Sequence, residues 1–289
     1  ALAKLLTSQP IYQAGEPAYY AEPVVLAGTA YIFGGGHVGA ALAPVLHYVG
    51  FRVAVFDNRP DFATPEHYPD AEIISCPKGI QGNVARVRNY ILRQEMAAGY
   101  DVVCIVDDDL YRLERYVKQE GSQFGYIKEK IETDDFLMFI EKYSIIAEDI
   151  GAKFWGVNIN TDPMAYRHAS PFSTVSPVLG PFQCFMKGNR CFYDEALPLK
   201  EDYDMTLQQL NLERVILRLN AYHYVCKQSV NEGGCASYRN REREKQQIEA
   251  LRQKWGSDIV KMDTTNKGRS KKKKLEDYNP IIHIPIKGI

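Results

Sequence analysis

The chain has 289 residues, of which 45% are hydrophobic and 25% are charged, and this balance predicts a globular protein with a sizeable core. The formal net charge of -1 excludes a global field that would draw the chain to nucleic acid or to an anionic membrane. No apolar run approaches the roughly 20 residues that a membrane-spanning helix needs, and no signal peptide is expected. Six cysteines without CxxC or zinc-like spacing predict reduced, mostly buried thiols in a cytoplasmic protein, with disulfides as the alternative.

The first quarter of the sequence predicts a lead-in followed by a βαβ unit. Residues 1–28 are rich in Pro, Gly and Tyr without periodicity, which predicts irregular structure. The segment "TAYIFGGG" predicts a strand that ends in glycines, and "HVGAALAPVLHYVG" has the apolar spacing of a helix. A second strand, "FRVAVFDNRP", follows. Two strands joined by a helix within about 30 residues are expected to be parallel. With "AEIISC" as a third strand, this unit spans residues 29–75.

The remaining sequence continues to alternate between helical and strand patterns, which predicts an α/β fold with a mixed, mostly parallel sheet and helices on both faces. Residues 263–289 include the basic run "GRSKKKKLED" and predict a flexible tail. In chain order, the segments with the clearest patterns are "NVARVRNYILRQEMAAG" (helix), "DVVCIVDDD" (buried strand), "DDFLMFIEKYSIIAEDIG" (helix), "AKFWGVNIN" (strand), "LKEDYDMTLQQLNLE" (turn and helix), "RVILRLNAYHYVC" (strand) and "REREKQQIEALRQKWG" (exposed helix).

The glycines between the first strand and the first helix predict a nucleotide-binding loop. Gly34, Gly36 and Gly39 satisfy the G-x-G-x-x-G pattern, which lets the backbone turn tightly and approach a pyrophosphate at a helix N-terminus. Asp57 ends the second strand about 20 residues later, where an acid that binds a ribose belongs. This spacing predicts an NAD(P) site or another nucleotide site.

Residues from about 20 to 74, above all "YIFGGGHVGAALAPVLHYVGFRVAVFDNRPDFATPEHYPDAE", closely resemble the Rossmann segment of XdhC/CoxF-type accessory proteins of molybdenum hydroxylases. The resemblance implies a nucleotide-binding accessory protein without transferase activity. The alternative is a βαβ scaffold whose nucleotide site is vestigial or reused, since half a dinucleotide fold provides no binding site for the second half of the cofactor.

Three successive aspartates follow the apolar run "VVCIV" at the carboxyl end of a predicted buried strand. Ligand sites of α/β sheets gather beyond such strand ends. Asp107 and Asp109 have the hard oxygen ligands that Mg²⁺ or Mn²⁺ prefers, and a dication would relieve the repulsion among the carboxylates. The alternative is a solvated acidic turn.

A second acidic cluster, "KEDYD", precedes a predicted helix. Acids at a helix start usually cap it, but beside a metal-bound diphosphate one carboxylate could act as a general base. His223, near the end of a predicted strand, is either a further metal ligand or a structural histidine.

An ordered set of motifs is similar to the TET-associated glycosyltransferases, which are GT-A-like enzymes common in phage genomes. The resemblance covers residues 81–260 and implies a GT-A-like α/β fold that uses a nucleotide-sugar donor, most simply a UDP-sugar. Its motifs in this sequence are "GNVARVRNYIL", "VVCIVDDDL", "LPLKEDYDMTLQQL", "VILRLNAYHYVC" and "NEGGCASYR…EREKQQIEALRQKWG".

This resemblance also implies roles for individual residues. The metal would be held by Asp107 and Asp109, with His223 as a further ligand. The donor nucleotide would lie near Arg88 and Asn89. The remaining roles are an acidic pair of Glu201 and Asp202, with Asp202 as the base and Asp204 as its alternate, and a diphosphate lid of Gly233, Gly234 and Arg239.

The implied reaction is displacement of a metal-bound diphosphate by an acceptor hydroxyl. Members of the family are associated with sugars on hydroxymethylated pyrimidines, so DNA carrying such a base is one expected acceptor. Basic residues could contact its phosphates, namely Arg239, Arg241, Arg243 and the run 271–274, but a solvated helix and tail are the simpler interpretation.

The two resemblances cover different segments of the same chain. A single GT-A-like domain over residues 29–262 is expected, with the XdhC-like unit 29–75 as its first βαβ element. A natural fusion, a recombined gene or an artificial chimera would each produce such a sequence.

Overall fold

The structure is a computed structural model that divides into two compact units, Ala1–Lys78 and Gly79–Ile289. The expected single domain over residues 29–262 is therefore two units, and each is described by itself. No helix within the described residues combines the length and the apolar character needed to cross a membrane. The described residues are 11–13, 19–21, 28–57, 59, 61–75, 79–80, 82–107, 110–123, 125–132, 135–226, 240–262 and 279–285.

The first unit contains a short hairpin and a parallel sheet. Within the lead-in that was predicted to be irregular, β1 (Ile11–Gln13) and β2 (Tyr19–Ala21) pair antiparallel. The sheet consists of β3 (Thr29–Phe33), β4 (Arg52–Asp57) and β5 (Ala71–Ser75), which are parallel, with β4 in the centre. The crossover from β3 to β4 is α1 (His37–Tyr48). The predicted βαβ unit and its parallel pairing are therefore present.

The central strand of the first sheet, β4, is buried as its position predicts. Five of the six residues of β4 are buried, because its side chains cannot alternate between core and solvent when both faces are covered. Its valines at 53 and 55 join Ile32, Ala43 and Tyr68 in one apolar cluster.

The second unit is built around one large mixed sheet. Its helices are α2 (Val84–Ala97), α3 (Phe136–Asp149), α4 (Glu201–Glu213) and α5 (Arg241–Trp255). Its strands are β6 (Val102–Val106), β7 (Leu110–Lys118), β8 (Tyr126–Lys130), β9 (Phe154–Asn158), β10 (Phe172–Ser173), β11 (Phe182–Met186), β12 (Leu217–Cys226), β13 (Val260–Met262) and β14 (Pro280–Ile282).

The strand order of this sheet is β6-β11-β9-β12-β7-β8, with β10 beside β12. Strands β9 and β12 are parallel, and the other described pairs of the sheet are antiparallel. The α/β class is thus confirmed, with the parallel pairing concentrated in the first unit. The antiparallel hairpin β7–β8 was not predicted, because the charged residues in "LYRLERYVK" obscure its alternation.

Two apolar clusters cover the two faces of the large sheet. Adjacent residues of β9 show the alternation: Phe154 packs with Phe185, Met205 and Leu92, whereas Trp155 packs in a different cluster with Phe139 of α3. The first cluster joins α2 and α4 to the sheet, and the second joins α3 to it.

Residues 279–285 are part of the second unit. Strand β14 pairs antiparallel with β13, and Ile282 and Ile284 pack against a cluster that contains Ile248, Leu251 and Val260. The predicted flexible tail 263–289 is therefore wrong for residues 279–285. The lysine run 271–274 lies outside the described residues.

This packing predicts different effects for two neighbouring isoleucines of β14. Ile282→Asp should lower the free energy of unfolding of the second unit by about 2 kcal/mol, because it places a carboxylate in the apolar cluster. Ile281 is 45% exposed, so Ile281→Asp should change it by less than about 0.5 kcal/mol. Urea unfolding followed by tryptophan fluorescence reports this unit, since both tryptophans, Trp155 and Trp255, lie in it. Equal effects of the two substitutions would contradict the packing.

Candidate functional sites

The glycine loop of the first unit joins β3 to α1. Gly34 has a φ of 114°, a left-handed conformation that a side chain would strain, and its N–H donates to the carbonyl of Phe56 at 2.8 Å. Gly36 is the N-cap of α1, and a Cβ added there would meet no atom within 4 Å. No side chain caps this helix, and its first turn carries no acidic residue. The loop therefore leaves open space beside the positive end of a helix dipole.

Gly39 has a different role, which is close packing of the helix on the strand. A Cβ at this position would lie 2.7 Å from the carbonyl oxygen of Gly34, 2.8 Å from Oη of Tyr68 and 3.0 Å from a methyl group of Ile32. The same Tyr68 hydroxyl donates to the carbonyl of Gly36 at 3.1 Å. The close packing at Gly39 and the hydrogen bond from Tyr68 thus both hold the glycine loop in place.

Asp57 lies at the end of β4 next to this loop, but its oxygens are already engaged. Oδ2 accepts the N–H of Gly35 at 2.7 Å and Nη2 of Arg59 at 2.8 Å. Oδ1 accepts the backbone N–H and Nε of Arg59 at 2.8 and 3.0 Å. Burial acts to raise the pKa of Asp57, but the side-chain and backbone hydrogen bonds from Arg59 and Gly35 outweigh it and lower the pKa to about 2. In this structure Asp57 ties the loop to Arg59 rather than offering free acceptors to a ribose.

Arg59 is a residue that the sequence reasoning missed. Its guanidinium lies 3.7 Å above the centre of the Phe62 ring, and half of its side chain is exposed. The signal was present in "DNRPDF", since an arginine two residues after a strand-terminal acid can reach back to it.

The second candidate site lies at the carboxyl end of β6 and centres on Arg88. The α2 helix buries this arginine, which has only 5% of its side chain exposed. Its Nη2 donates to both oxygens of Asp107 at 2.7 and 2.8 Å, and its Nη1 donates to Oε1 of Glu201 at 3.0 Å. The N–H of Asp107 is held by the carbonyl of Pro181 at 2.9 Å. The structure therefore brings together three residues that were predicted to share a site.

The cluster sets the carboxyl groups of Asp107, Glu201 and Asp202 against the single positive charge of Arg88. Burial and the neighbouring Asp202 raise the pKa of Glu201 to about 8, although Arg88 and a backbone hydrogen bond lower it. The pKa of Arg88 lies well above its ordinary value, because the attraction of Asp107 and Glu201 exceeds the effect of its burial. These shifts favour a charged Arg88 and a protonated Glu201 at neutral pH.

Asp202 is adjacent to this cluster and faces the loop before β11. Its Oδ2 accepts the N–H of Gly180 at 3.0 Å, and its Oδ1 accepts the N–H of Tyr203 at 2.8 Å. The hydroxyl of Tyr224 donates to the carbonyl of Leu179 at 3.4 Å, next to Gly180, so this phenol lies beside the site. Burial, followed by the neighbouring Asp202, raises the pKa of Tyr224. Sequence reasoning selected the neighbouring His223 instead, because histidine is the commoner metal ligand.

Two other predicted residues are structural. Asn89 clamps the backbone of Tyr193, with its Nδ2 donating to the carbonyl at 2.8 Å and its Oδ1 accepting the N–H at 2.7 Å. Asp204 is fully buried and accepts hydrogen bonds from Trp255 Nε1 at 2.7 Å and Lys254 at 3.0 Å. The carboxylate of Asp204, which was predicted as an alternate base, thus anchors α5 in this structure.

His223 pairs with a different acid from those of the cluster. Its Nε2 lies 3.0 Å from Oε2 of Glu114, and its ring stacks on Tyr116 with centroids 4.6 Å apart. Burial lowers the pKa of His223 despite the opposing effect of Glu114. Among the described residues, no group of three His, Cys, Asp or Glu side chains could hold a metal ion. The remaining predicted residues, Asp109, Gly233, Gly234 and Arg239, lie outside the described residues.

Comparison with known proteins supports one of the two resemblances. A family model described as the XdhC Rossmann domain matches residues 30–128, about a third of the chain. The similarity to XdhC thus extends beyond residue 74, where it was expected to end, and continues into the second unit. No curated protein and no solved structure matches the chain at a significant level. These comparisons give no support to the glycosyltransferase resemblance of residues 81–260, which stays a prediction.

The raised pKa of Glu201 predicts how the stability of the second unit depends on pH. The folded protein keeps a proton that the unfolded chain releases near pH 4.5, so the free energy of unfolding should fall as the pH rises from about 5 to about 8. Glu201→Gln should remove this part of the slope, which is at most about 1.4 kcal/mol per pH unit.

Urea unfolding at several pH values, followed by tryptophan fluorescence, measures the effect. The matched control is Glu249→Gln, at an exposed residue that pairs with Arg252, and this variant should keep the wild-type slope. A Glu201→Gln slope equal to that of the wild type would show that Glu201 is ionised in the folded protein.

Proposed function

We propose that the first unit binds the diphosphate of a nucleotide such as NAD(P), and that the chain acts as a nucleotide-binding accessory protein of the XdhC type. The observation that carries this proposal is the open space at Gly36, at the N-terminus of a 12-residue helix without a side-chain cap. Backbone N–H groups and the helix dipole favour an anion at such a position. The match of residues 30–128 to the XdhC Rossmann domain supports the same class of function.

The three glycines of the loop support the proposal because each meets a separate physical requirement. Gly34 allows the turn, Gly36 leaves room for the ligand, and Gly39 allows the helix to pack on the strand. A loop that served only as a connection would need the first and the third of these glycines but not the second.

Asp57, the acid expected to bind the ribose, has no acceptor position left for it. Since four donors from Gly35 and Arg59 fill the acceptor positions of Asp57, a ribose hydroxyl could bond to this carboxylate only after Arg59 moved. The proposed affinity therefore comes from the diphosphate, and ADP should bind nearly as well as the complete dinucleotide.

Substitution at Gly36 separates binding from stability. Gly36→Val should weaken the binding of ADP, NADH and NADPH at least tenfold, because its side chain fills the open space. Its thermal stability should stay close to that of the wild type, since the backbone at Gly36 is extended, with a φ of -80°, and the new Cβ has no neighbour. Gly39→Val should instead destabilise the first unit through the clashes described above.

Isothermal titration calorimetry in the presence of EDTA measures this binding without metal. Gly28→Val is the matched control, because Gly28 also has open space around its Cβ position but lies outside the loop, and it should bind like the wild type. The proposal fails if wild-type protein binds none of the three ligands, or if Gly36→Val binds them all with wild-type affinity.

A second candidate function is favoured by the contacts of Arg88. We infer that the second unit transfers a sugar from a nucleotide-sugar to an acceptor hydroxyl, with DNA carrying a hydroxymethylated pyrimidine as one acceptor. Arg88, Asp107 and Glu201 lie together at a strand end, with Asp202 adjacent, which supports a site for charged ligands. In this proposal Asp202 takes the proton of the acceptor hydroxyl.

The described residues only partly fit the metal that this reaction implies. Both oxygens of Asp107 accept hydrogen bonds from Arg88, so a Mn²⁺ or Mg²⁺ ion would share this carboxylate with a guanidinium. About a third of the Asp107 side chain is exposed, which leaves it accessible from solvent. Asp107 and Asp109 would hold the ion, which would neutralise the leaving diphosphate.

Calorimetry with UDP-glucose tests this second candidate. Binding should require Mn²⁺ and should be lost in Asp107→Ala and in Asp109→Ala. Asp101→Ala is the matched control, because Asp101 precedes the same strand at its opposite end and is 82% exposed, and it should bind like the wild type. Binding that is absent with Mn²⁺, or unchanged in both site variants, would remove glycosyl transfer as a candidate.

A further inference from the structure

Two cysteines face each other across neighbouring strands of the second unit. Cys104 of β6 and Cys184 of β11 are paired in the antiparallel register, and their Sγ atoms are 3.0 Å apart. Both are free thiols in the structure. No sequence pattern predicts this pair, because 79 residues separate the two positions and no spacing rule connects them.

The hydrogen bonds of these strands place the pair at a favourable position for cross-linking. The N–H of Asp107 donates to the carbonyl of Pro181, and the N–H of Lys187 donates to that of Asp101. Hydrogen-bonded pairs alternate with non-bonded pairs along an antiparallel ladder, so Cys104 and Cys184 form a non-bonded pair. Such pairs have Cα atoms about 4.5 Å apart, within the range of about 4.4–6.8 Å that disulfides span.

The two thiols differ in their access to solvent. Cys184 is fully buried in the cluster of Trp155 and Phe182, and burial raises its pKa well above the ordinary value. Cys104 is partly exposed at the edge of that cluster. A soluble reagent should therefore meet Cys104 first, and Cys184 should react only with a partner already inside the sheet.

We propose that Cys104 and Cys184 form a modification site that reacts with a low-molecular-weight disulfide of the glutathione type and closes to a cross-strand protein disulfide. The Cys104 thiolate attacks one sulfur of the oxidised reagent, which forms a mixed disulfide and releases the first reduced thiol. Cys184 then loses its proton and attacks the sulfur of Cys104, which releases the second reduced thiol. The protein dithiol is oxidised by two electrons, and the reagent disulfide is reduced to two thiols.

The disulfide would join two strands that lead into the acidic cluster. Strand β6 ends immediately before Asp107, and β11 begins after Gly180 and Pro181, which bond to Asp202 and Asp107. Oxidation would thus fix the relative positions of these contacts. This inference rests on strand geometry and does not depend on either proposed function.

Peptide mapping after oxidation tests the proposal. The folded full-length chain is treated with oxidised glutathione, free thiols are alkylated, and linked peptides are identified by mass spectrometry. In wild-type protein Cys104 should be linked to Cys184, and neither of these two cysteines should be alkylated. Cys184→Ala should leave glutathione on Cys104, whereas Cys104→Ala should leave Cys184 alkylated.

The matched control is Cys226→Ala, at another partly exposed cysteine, which should keep the link between Cys104 and Cys184. Tryptophan fluorescence of each variant shows that the second unit is folded before oxidation. The proposal is overturned if wild-type Cys104 and Cys184 both remain alkylated, if either is linked to a different cysteine, or if Cys104 keeps glutathione while Cys184 stays free.

Discussion

The acidic cluster of the second unit depends on the hydrogen bonds that the buried guanidinium of Arg88 donates to Asp107 and Glu201. This arginine joins α2 to the end of β6 through Asp107 and to the start of α4 through Glu201. A buried charge is tolerated only when it is paired, and here one cation faces carboxylates from two elements. Because the positive charge does not balance them all, burial and the neighbouring Asp202 raise the pKa of Glu201, which favours its protonated form. Any ligand of this site must therefore compete with Arg88 or accept it as a neighbour.

The first unit uses the same arrangement on a smaller scale. Asp57 is the last residue of the buried strand β4. Asp107 directly follows β6, which was predicted to be buried but alternates between buried and more exposed residues. Each of the two acids is engaged by an arginine of its own unit. In both places the strand end delivers an acid to the edge of a sheet, and an arginine neutralises it. The difference lies in exposure, since Arg59 is half exposed whereas Arg88 is buried. Arg59 is therefore accessible from solvent, whereas removal of Arg88 would leave the partly exposed Asp107 and the mostly buried Glu201 without their shared donor.

Sequence patterns predicted the local elements better than their assembly. The glycine loop, the βαβ unit and the apolar strand before Asp107 follow from spacing that is visible within about 30 residues. The pairing of β6 with β11 and the clamp of Asn89 on Tyr193 join residues that are distant in sequence, and no local pattern encodes them. Asp204 shows the same limit. Its position beside Glu201 and Asp202 suggested chemistry, but the turn of the helix directs it towards Trp255.

The sheet arrangement also restricts what each unit can bind by itself. A dinucleotide fold uses two mononucleotide halves built on parallel strands. The described part of the first unit supplies three parallel strands and one crossover helix, which amounts to one half. The similarity to the XdhC Rossmann domain continues to residue 128, but β6 in that segment pairs antiparallel with β11, so it does not extend the parallel sheet as a second half would. The nucleotide proposed for the first unit would therefore have one half of a dinucleotide fold to bind to, which is why affinity for ADP is a more direct test of the proposal than affinity for a complete dinucleotide.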